Sequence, residues 1–270
     1  MGGVTPAIAY VAVATAAAGA SLLTLYSGFG LGTLLLPVFA CFVPAPVAVA
    51  ATAVVHLANN VLKTTVAGRE ARRDVVLRFG VPAVLFALAG AALLGGLGRM
   101  EPLAEWGAGS PPFRVTPVNL GVGILMLGFA ALDLVPSLAS KEFPTRLLPL
   151  GGAVSGFFGG LSGHQGAFRT AFLAKVGLEP AEFVGTTAVI GLVVDLVRVA
   201  VYAAAGTLIS GTSDIPLALV GAGIAGAALG ILLGATILKA RKVTMRGLRL
   251  FTGVLVALFG VALAAGILGE

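Results

Sequence analysis

The side chains best suited to binding a ligand lie at a glycine-rich stretch inside a long apolar run. Residues 159–166 read Gly-Gly-Leu-Ser-Gly-His-Gln-Gly. Glycine lets a ligand approach the backbone closely, and a helix that begins near this point would aim unpaired N–H groups and its positive dipole end at the ligand. The stretch therefore predicts a site for a small anion, built from Ser162, Gly163, His164, Gln165 and the nearby Arg169.

A structural role for the same residues is also consistent with the sequence. Arg169 lies only about two turns from the next loop, so its long side chain could extend to the membrane surface. His164 could bond a neighbouring carbonyl group instead of a ligand. The pattern alone leaves both interpretations open.

A second glycine-rich stretch, Ser27-Gly28-Phe29-Gly30-Leu31-Gly32, interrupts an earlier apolar run. It carries no charge, but Ser27, Gly28 and Gly30 would offer a hydroxyl and backbone N–H donors to the same anion. The alternative is a close helix crossing that the glycines permit.

An acidic and a basic residue share one helix face further along the chain. Asp195 and Arg198 are spaced i, i+3, near the middle of an apolar segment. Ionisable groups at such depth are costly, so they are paired or functional. Either they form a neutralised structural pair, or the passage of a substrate or proton reorganises them. Asp195 and His164 are the candidate proton carriers.

Two further polar residues are candidates for the site. His56 lies on one helix face with Asn59, Asn60 and Lys63, and it either lines the site or packs as a hydrogen-bonded histidine. Thr187 could add a hydroxyl donor, although threonines in membrane helices often bond their own backbone. Lys63 is expected to extend to the cytoplasmic surface.

The elements that must position these residues are membrane helices. The chain is 58% hydrophobic and only 10% charged, whereas soluble domains carry roughly 25% charge. Its mean hydropathy is +1.06. The sequence contains no phosphate-binding loop, zinc motif or hydrolase motif. We therefore expect an integral membrane protein that is not an enzyme and has no cofactor or bound metal.

The basic residues predict the topology. Twelve of the 17 Lys and Arg residues fall in four loops, which the positive-inside rule places in the cytoplasm. Both chain ends then lie outside, and each glycine-rich run must enter and leave on one side. We predict hairpins at 6–43 and 147–178, joined by a cytoplasmic linker at 138–146, and spans at 46–66, 79–98, 117–137, 183–205, 216–238 and 249–268.

The two parts of the chain resemble each other. A shift of 135 residues places Ser27-Gly28 on Ser162-Gly163 and Asn60 on Asp195. We therefore expect an all-α membrane protein with two inverted-topology repeats, residues 1–137 and 147–270. Each repeat would be a re-entrant broken-helix hairpin plus three transmembrane helices, an architecture known from transporters.

Two stretches of the sequence resemble the TauE/SafE family of sulfite exporter-like permeases. They are residues 159–173 and the following Gly-Leu-Glu-Pro-Ala-Glu-Phe-Val-Gly-Thr-Thr (177–187). The similarity covers nearly the whole chain. It implies a permease for sulfite, sulfonates and related sulfur or organic oxyanions.

These observations favour a secondary active transporter of the prokaryotic inner membrane. It would carry a small sulfur oxyanion or carboxylate by alternating access, driven by a proton or another coupling ion. A passive anion channel and a non-transporting scaffold subunit remain alternatives, and a homo-oligomer is left open. No nucleic acid is expected as a partner.

Overall fold

A computed structural model describes residues 6–27, 31–109, 112–135, 143–206, 217–237 and 245–269. Nearly all regular structure in these ranges is helical, as the composition predicts. The principal helices are α1 (Pro6–Ser27), α2 (Leu31–Ala40), α3 (Ala45–Ala67), α4 (Val81–Leu97), α5 (Pro117–Leu134), α6 (Leu148–Ser162), α7 (Gly166–Leu173), α8 (Pro180–Ala204), α9 (Leu217–Ile237) and α10 (Met245–Ala264).

Four helical stretches in the described part of the chain are long and apolar enough to cross a membrane: Ala45–Glu70, Arg73–Leu97, Pro180–Ala204 and Leu217–Gly234. They correspond to four of the six predicted spans. The predicted spans at 117–137 and 249–268 match α5 and α10, whose described apolar lengths are shorter. The second long stretch opens with one α turn (Arg73–Val75) and a π turn (Val76–Gly80) before α4.

Three glycines bring the backbone of α6 into direct contact with α4 and with the π turn that precedes it. Gly152, Gly156 and Gly160 lie one turn apart on α6, against the carbonyl groups of Phe79, Ala83 and Ala87. Any side chain at these glycines would overlap the facing backbone. Small residues allow this close approach, and dispersion then stabilises the pair.

We expect Gly156→Ala to destabilise the protein by about 1–3 kcal/mol, because its added methyl group would overlap the carbonyl of Ala83. The matched control is Gly121→Ala on α5. The methyl group added there would have no neighbour within 4 Å, so this substitution changes only the backbone freedom of glycine. Thermal unfolding midpoints in detergent compare the two variants. Equal midpoints would show that the α4–α6 contact does not limit stability.

The first helix uses the same kind of contact with a different partner. Gly226 and Gly230 of α9 lie against the carbonyl groups of Ala14 and Ala18 of α1. Because both residue numbers rise together, α1 runs in the same direction as α9. By the same argument, α6 runs in the same direction as α4. The remaining long helices pair as α3 with α8 and α5 with α10.

Three loops that carry Arg69, Arg72, Arg146 and Lys175 lie together at one end of the bundle, which we call the basic end (68–72, 143–147 and 174–179). Arg72 N–H donates to Thr186 Oγ1 at 2.9 Å, and Arg78 Nη2 donates to the Thr145 carbonyl at 3.4 Å. Arg72 Nε also donates to the exposed Asp74 carboxylate at 3.1 Å.

The start of α6 and the end of α7 lie close together at the basic end. Phe143 N–H donates to the Ala171 carbonyl at 3.4 Å, and the rings of Phe143 and Phe172 stack with centroids 4.2 Å apart. The residues just before α6 and the last residues of α7 therefore lie at the same end of the bundle.

The opposite end, which we call the far end, contains the α2–α3 turn and the described C-terminal residues. Ala45 N–H donates to the Gly269 carbonyl, and Gly269 N–H donates to Ala40, both at 2.9 Å. A short antiparallel hairpin, β1 (Ala104–Trp106) and β2 (Phe113–Val115), also lies here. The sequence analysis expected only helices, and these two strands are an addition to it.

Candidate functional site

The backbone unwinds between α6 and α7. Gly163 has φ +83 and ends α6, with its N–H bonded to the Gly159 carbonyl at 2.9 Å. Only glycine adopts this left-handed conformation without strain. Residues 163–165 are not helical, and α7 begins at Gly166. Ser162, His164 and Gln165 are buried at this break.

The break between α6 and α7 lies against the start of α2. A Cβ atom at Gly32 would lie 2.8 Å from the Gly163 carbonyl oxygen and 3.2 Å from His56 Nε2. The two glycine-rich regions therefore touch in the interior of the bundle. Both α2 and α7 begin beside this contact, so their N-terminal dipole ends lie close together.

A polar cavity lies at this meeting point. Its described lining contains hydroxyl, amide, imidazole and cationic side chains but no carboxylate. Space between atoms amounts to about 450 Å³, the open mouth included. The residues that line it are Thr24, Leu31, Gly32, Thr33, His56, Asn59, Asn60, Lys63, Phe129, Gly163, His164, Gln165, Gly166, Ala167 and Arg169.

Arg169 is the main positive group in this cavity. Its residue is only 7% exposed, and its Nε and Nη1 atoms have no hydrogen-bond partner. An unpaired guanidinium in such a position is costly to bury. Its free donors are available to a negatively charged ligand, and the guanidinium fork suits an oxyanion.

Lys63 adds a second cation to the same cavity. Its Nζ donates to Thr24 Oγ1 at 2.7 Å, which joins α3 to α1. The sequence analysis expected this side chain to reach the cytoplasmic surface, and that expectation was wrong. The Thr24 hydroxyl of a neighbouring helix holds the ammonium group inside the bundle.

Asp195, in contrast, is fully engaged within the protein. It is 0% exposed and accepts hydrogen bonds from Arg198 Nε at 2.9 Å, Asn60 Nδ2 at 2.6 Å and Gln165 Nε2 at 2.9 Å. Asp195 and Arg198 do not line the cavity. The direct ion-pair partner of Asp195 is therefore Arg198, behind the cavity wall, and no carboxylate contacts Arg169 or Lys63 among the described cavity residues.

A neighbouring cavity extends this space toward the basic end. It shares Thr24, Asn60, Lys63 and Arg169 with the first cavity and adds residues of the first turns of α8. Toward the far end, fully buried apolar side chains fill the interior: Leu35, Leu36, Phe39, Val49 and Val55. In this conformation the polar space leads to the basic end.

A sequence model of the family described as sulfite exporter TauE/SafE matches residues 11–263. The chain belongs to this family. The match includes both glycine-rich breaks and every residue of the cavity. No curated protein and no solved structure matches the chain.

Membership of the TauE/SafE family confirms the expected resemblance and identifies the chain as an integral membrane permease. The family is one of transporters for sulfite and related anions, not of enzymes. The cavity described above is the polar interior of such a permease.

The structure places most of the predicted TauE/SafE site residues in or beside the cavity. His56, Gly163, His164, Gln165 and Arg169 line it. Ser162 lies behind His164, with its Oγ 3.1 Å from His164 Nδ1. Gly28 and Gly30 lie outside the described residues, as does the side chain of Ser27.

Thr187 lines only the neighbouring cavity. Its hydroxyl donates to the Val184 carbonyl at 3.1 Å, which is the backbone bond that the sequence left open as an alternative. Thr187 therefore lies on the route between the cavity and the basic end in this permease.

Two cavity residues of this TauE/SafE protein were missed by sequence reasoning. The ring of Phe129 stacks on His164, with centroids 4.8 Å apart and planes 13° apart. An aromatic residue within an apolar span gives no signal of such a role. Thr24, in contrast, is a polar residue one turn before the first glycine-rich stretch, so its position could have identified it as a candidate cavity residue.

Proposed function

We propose that this TauE/SafE protein is a secondary active transporter of a small anion, and that it works by alternating access. One observation carries the proposal. The unpaired guanidinium of Arg169 and the ammonium of Lys63 share a buried cavity whose described lining holds no carboxylate. Such a cavity gains electrostatic stability when an anion enters it.

The substrate class follows from the donors and from the family. Arg169 can offer two parallel N–H groups to an oxyanion, and the family description names sulfite. We infer that the substrate is sulfite, an organosulfonate or a related sulfur oxyanion or carboxylate.

Inverted repeats would provide the alternating access, and the helix pairing supports them. The long arm of each hairpin packs along the second span of the other repeat, α1 along α9 and α6 along α4. Asn60 and Asp195, equivalent under the shift of 135 residues, hydrogen-bond each other. Equivalent residues meet in this way when they lie on a two-fold axis.

The closed far end favours a carrier mechanism rather than a continuous pore. Apolar side chains fill the path beyond the cavity, so an anion bound near Arg169 could leave only toward the basic end in this conformation. We infer that the basic end faces the cytoplasm. A second conformation would then open the far end to the outside.

Counterflow in proteoliposomes tests this proposal. Vesicles loaded with unlabelled sulfite are diluted into a trace of radiolabelled sulfite, with methanesulfonate and acetate as further substrates. A carrier accumulates the label transiently, because exchange is faster than net flux. Rapid equilibration without counterflow would indicate a channel, and no flux together with no thermal stabilisation by any anion would indicate a scaffold.

A further inference from the structure

His164 differs from the other donors of the cavity because one of its ring nitrogens is held by the protein. The residue is 2% exposed, and its ring stacks on Phe129. Nδ1 lies 3.1 Å from Ser162 Oγ. Nε2, the other ring nitrogen, is buried without a hydrogen-bond partner.

The hydrogen bond of Ser162 determines the tautomer of His164. A hydroxyl group has one hydrogen, and Ser162 Oγ donates it to the Phe158 carbonyl at 3.1 Å. Ser162 can then only accept from His164, so Nδ1 carries the ring hydrogen. In the neutral ring Nε2 is consequently a bare lone pair that can accept but cannot donate.

A lone pair on the cavity wall conflicts with a fully deprotonated anion, which also presents only lone pairs. Protonation of Nε2 removes the conflict, because it creates a donor and a positive charge beside the anion. The charged and titratable groups around His164 belong to three helices. His56 and Lys63 of α3 and Arg169 of α7 line the same cavity, and Arg198 of α8, paired with Asp195, acts on the ring from behind the cavity wall.

Occupancy of the cavity therefore controls protonation. Without an anion, burial and the nearby guanidinium of Arg198 oppose a positive charge on His164. A bound anion compensates that charge. By linkage, the anion raises the proton affinity of Nε2 and the proton raises the affinity for the anion by the same factor.

We propose that His164 takes up one proton on Nε2 for each fully deprotonated anion that binds, so that proton and anion cross the membrane together. The proton comes from the aqueous side to which the cavity is open. It returns to water with the anion on the other side, and no bond to the anion is formed or broken. This inference rests on the proposed transport function.

Two other titratable groups fit the role less well. Asp195 accepts hydrogen bonds from three residues and does not line the cavity. His56 has its Nδ1 3.9 Å from Asp195 Oδ2, too far for a hydrogen bond. The tautomer of His56 is thus free to change, and its neutral ring can turn an N–H toward the anion without taking up a proton.

Calorimetry in detergent measures the coupling directly. The protein is titrated with methanesulfonate, and with sulfite at a pH where sulfite is fully deprotonated, in two buffers of different ionisation enthalpy. The difference between the observed enthalpies gives the protons taken up per anion. We expect about one for the wild type and close to none for His164→Gln, with weaker binding.

Two variants keep the test specific. His56→Gln should retain about one proton per anion, even where its affinity falls. Ser162→Ala releases Nδ1 of His164, so the neutral ring can carry its hydrogen on Nε2. Uptake should then fall below one proton while binding persists, a change that a merely structural role of Ser162 would not produce.

The outcomes separate this inference from the function on which it rests. If an anion binds to the wild type without proton uptake, or if His164→Gln takes up as many protons as the wild type, the inference is wrong and the transport function stands. If neither anion binds, the proposed function fails and this inference fails with it.

Discussion

Arg169→Gln is expected to lower the affinity for sulfite or methanesulfonate by about 100-fold. Hydrogen bonds to a charged group contribute about 1.5–3 kcal/mol each, and Arg169 has two donor atoms without a partner in the protein. Loss of both donors would cost about 3 kcal/mol or more, and partial replacement by an amide donor reduces the loss to about 2.7 kcal/mol, which corresponds to 100-fold. Glutamine retains one amide donor group but no charge.

The same variant should not destabilise the protein in the absence of an anion. Arg169 is buried with unpartnered donors, so its removal relieves a desolvation cost. We expect the thermal midpoint of the ligand-free variant to equal or exceed that of the wild type, while the upward shift caused by the anion disappears.

Arg73→Gln provides the matched control. Arg73 is exposed at the basic end, so the variant makes the same change in net charge without touching the cavity. It should bind and transport as the wild type does. If Arg169→Gln kept the anion-dependent midpoint shift, the cavity would not be the binding site.

Replacement of Arg198 by leucine is expected to destabilise the fold by about 3–5 kcal/mol. Removal of one partner of a buried ion pair leaves the other charge uncompensated. Asp195 would keep only Asn60 and Gln165, both neutral. Asp195→Leu should cost a similar amount, since it leaves the guanidinium of Arg198 in an apolar interior.

The double variant Asp195→Leu, Arg198→Leu should recover a large part of the loss, because no unpaired charge remains. The surface pair Arg72 and Asp74 is the control. Its side chains are 41% and 58% exposed, and its removal should leave the thermal midpoint nearly unchanged because solvent screens the pair. Thermal midpoints in detergent report all variants. Additive losses in the double variant would contradict a buried coupled pair.

Part of this arrangement could be predicted from sequence because it depends on local chemistry. A glycine-rich stretch with polar side chains inside an apolar run favours a break in a membrane helix, and α6 indeed ends at Ser162. The i, i+3 spacing of Asp195 and Arg198 places both on one helix face, whatever the rest of the chain does.

The remainder depends on contacts between distant segments. Lys63 points inward because Thr24 of another helix accepts a hydrogen bond from its ammonium group, and no local pattern in the sequence predicts that partner. Phe129 packs on His164 across the bundle, yet its sequence neighbourhood is that of any lipid-facing residue. The β1–β2 hairpin is held by the Trp106 Nε1 hydrogen bond to the Ala265 carbonyl at 2.7 Å, a contact with the C-terminal turn.

The packing of α1 against α9 has a consequence for biosynthesis. Ala14 and Ala18 find their glycine partners, Gly226 and Gly230, almost at the other end of the chain. During synthesis α1 must therefore wait in the membrane until α9, about 200 residues later in the chain, has been translated. Contacts between segments so far apart form late and slowly. Until then α1 lacks the helix against which it packs most extensively.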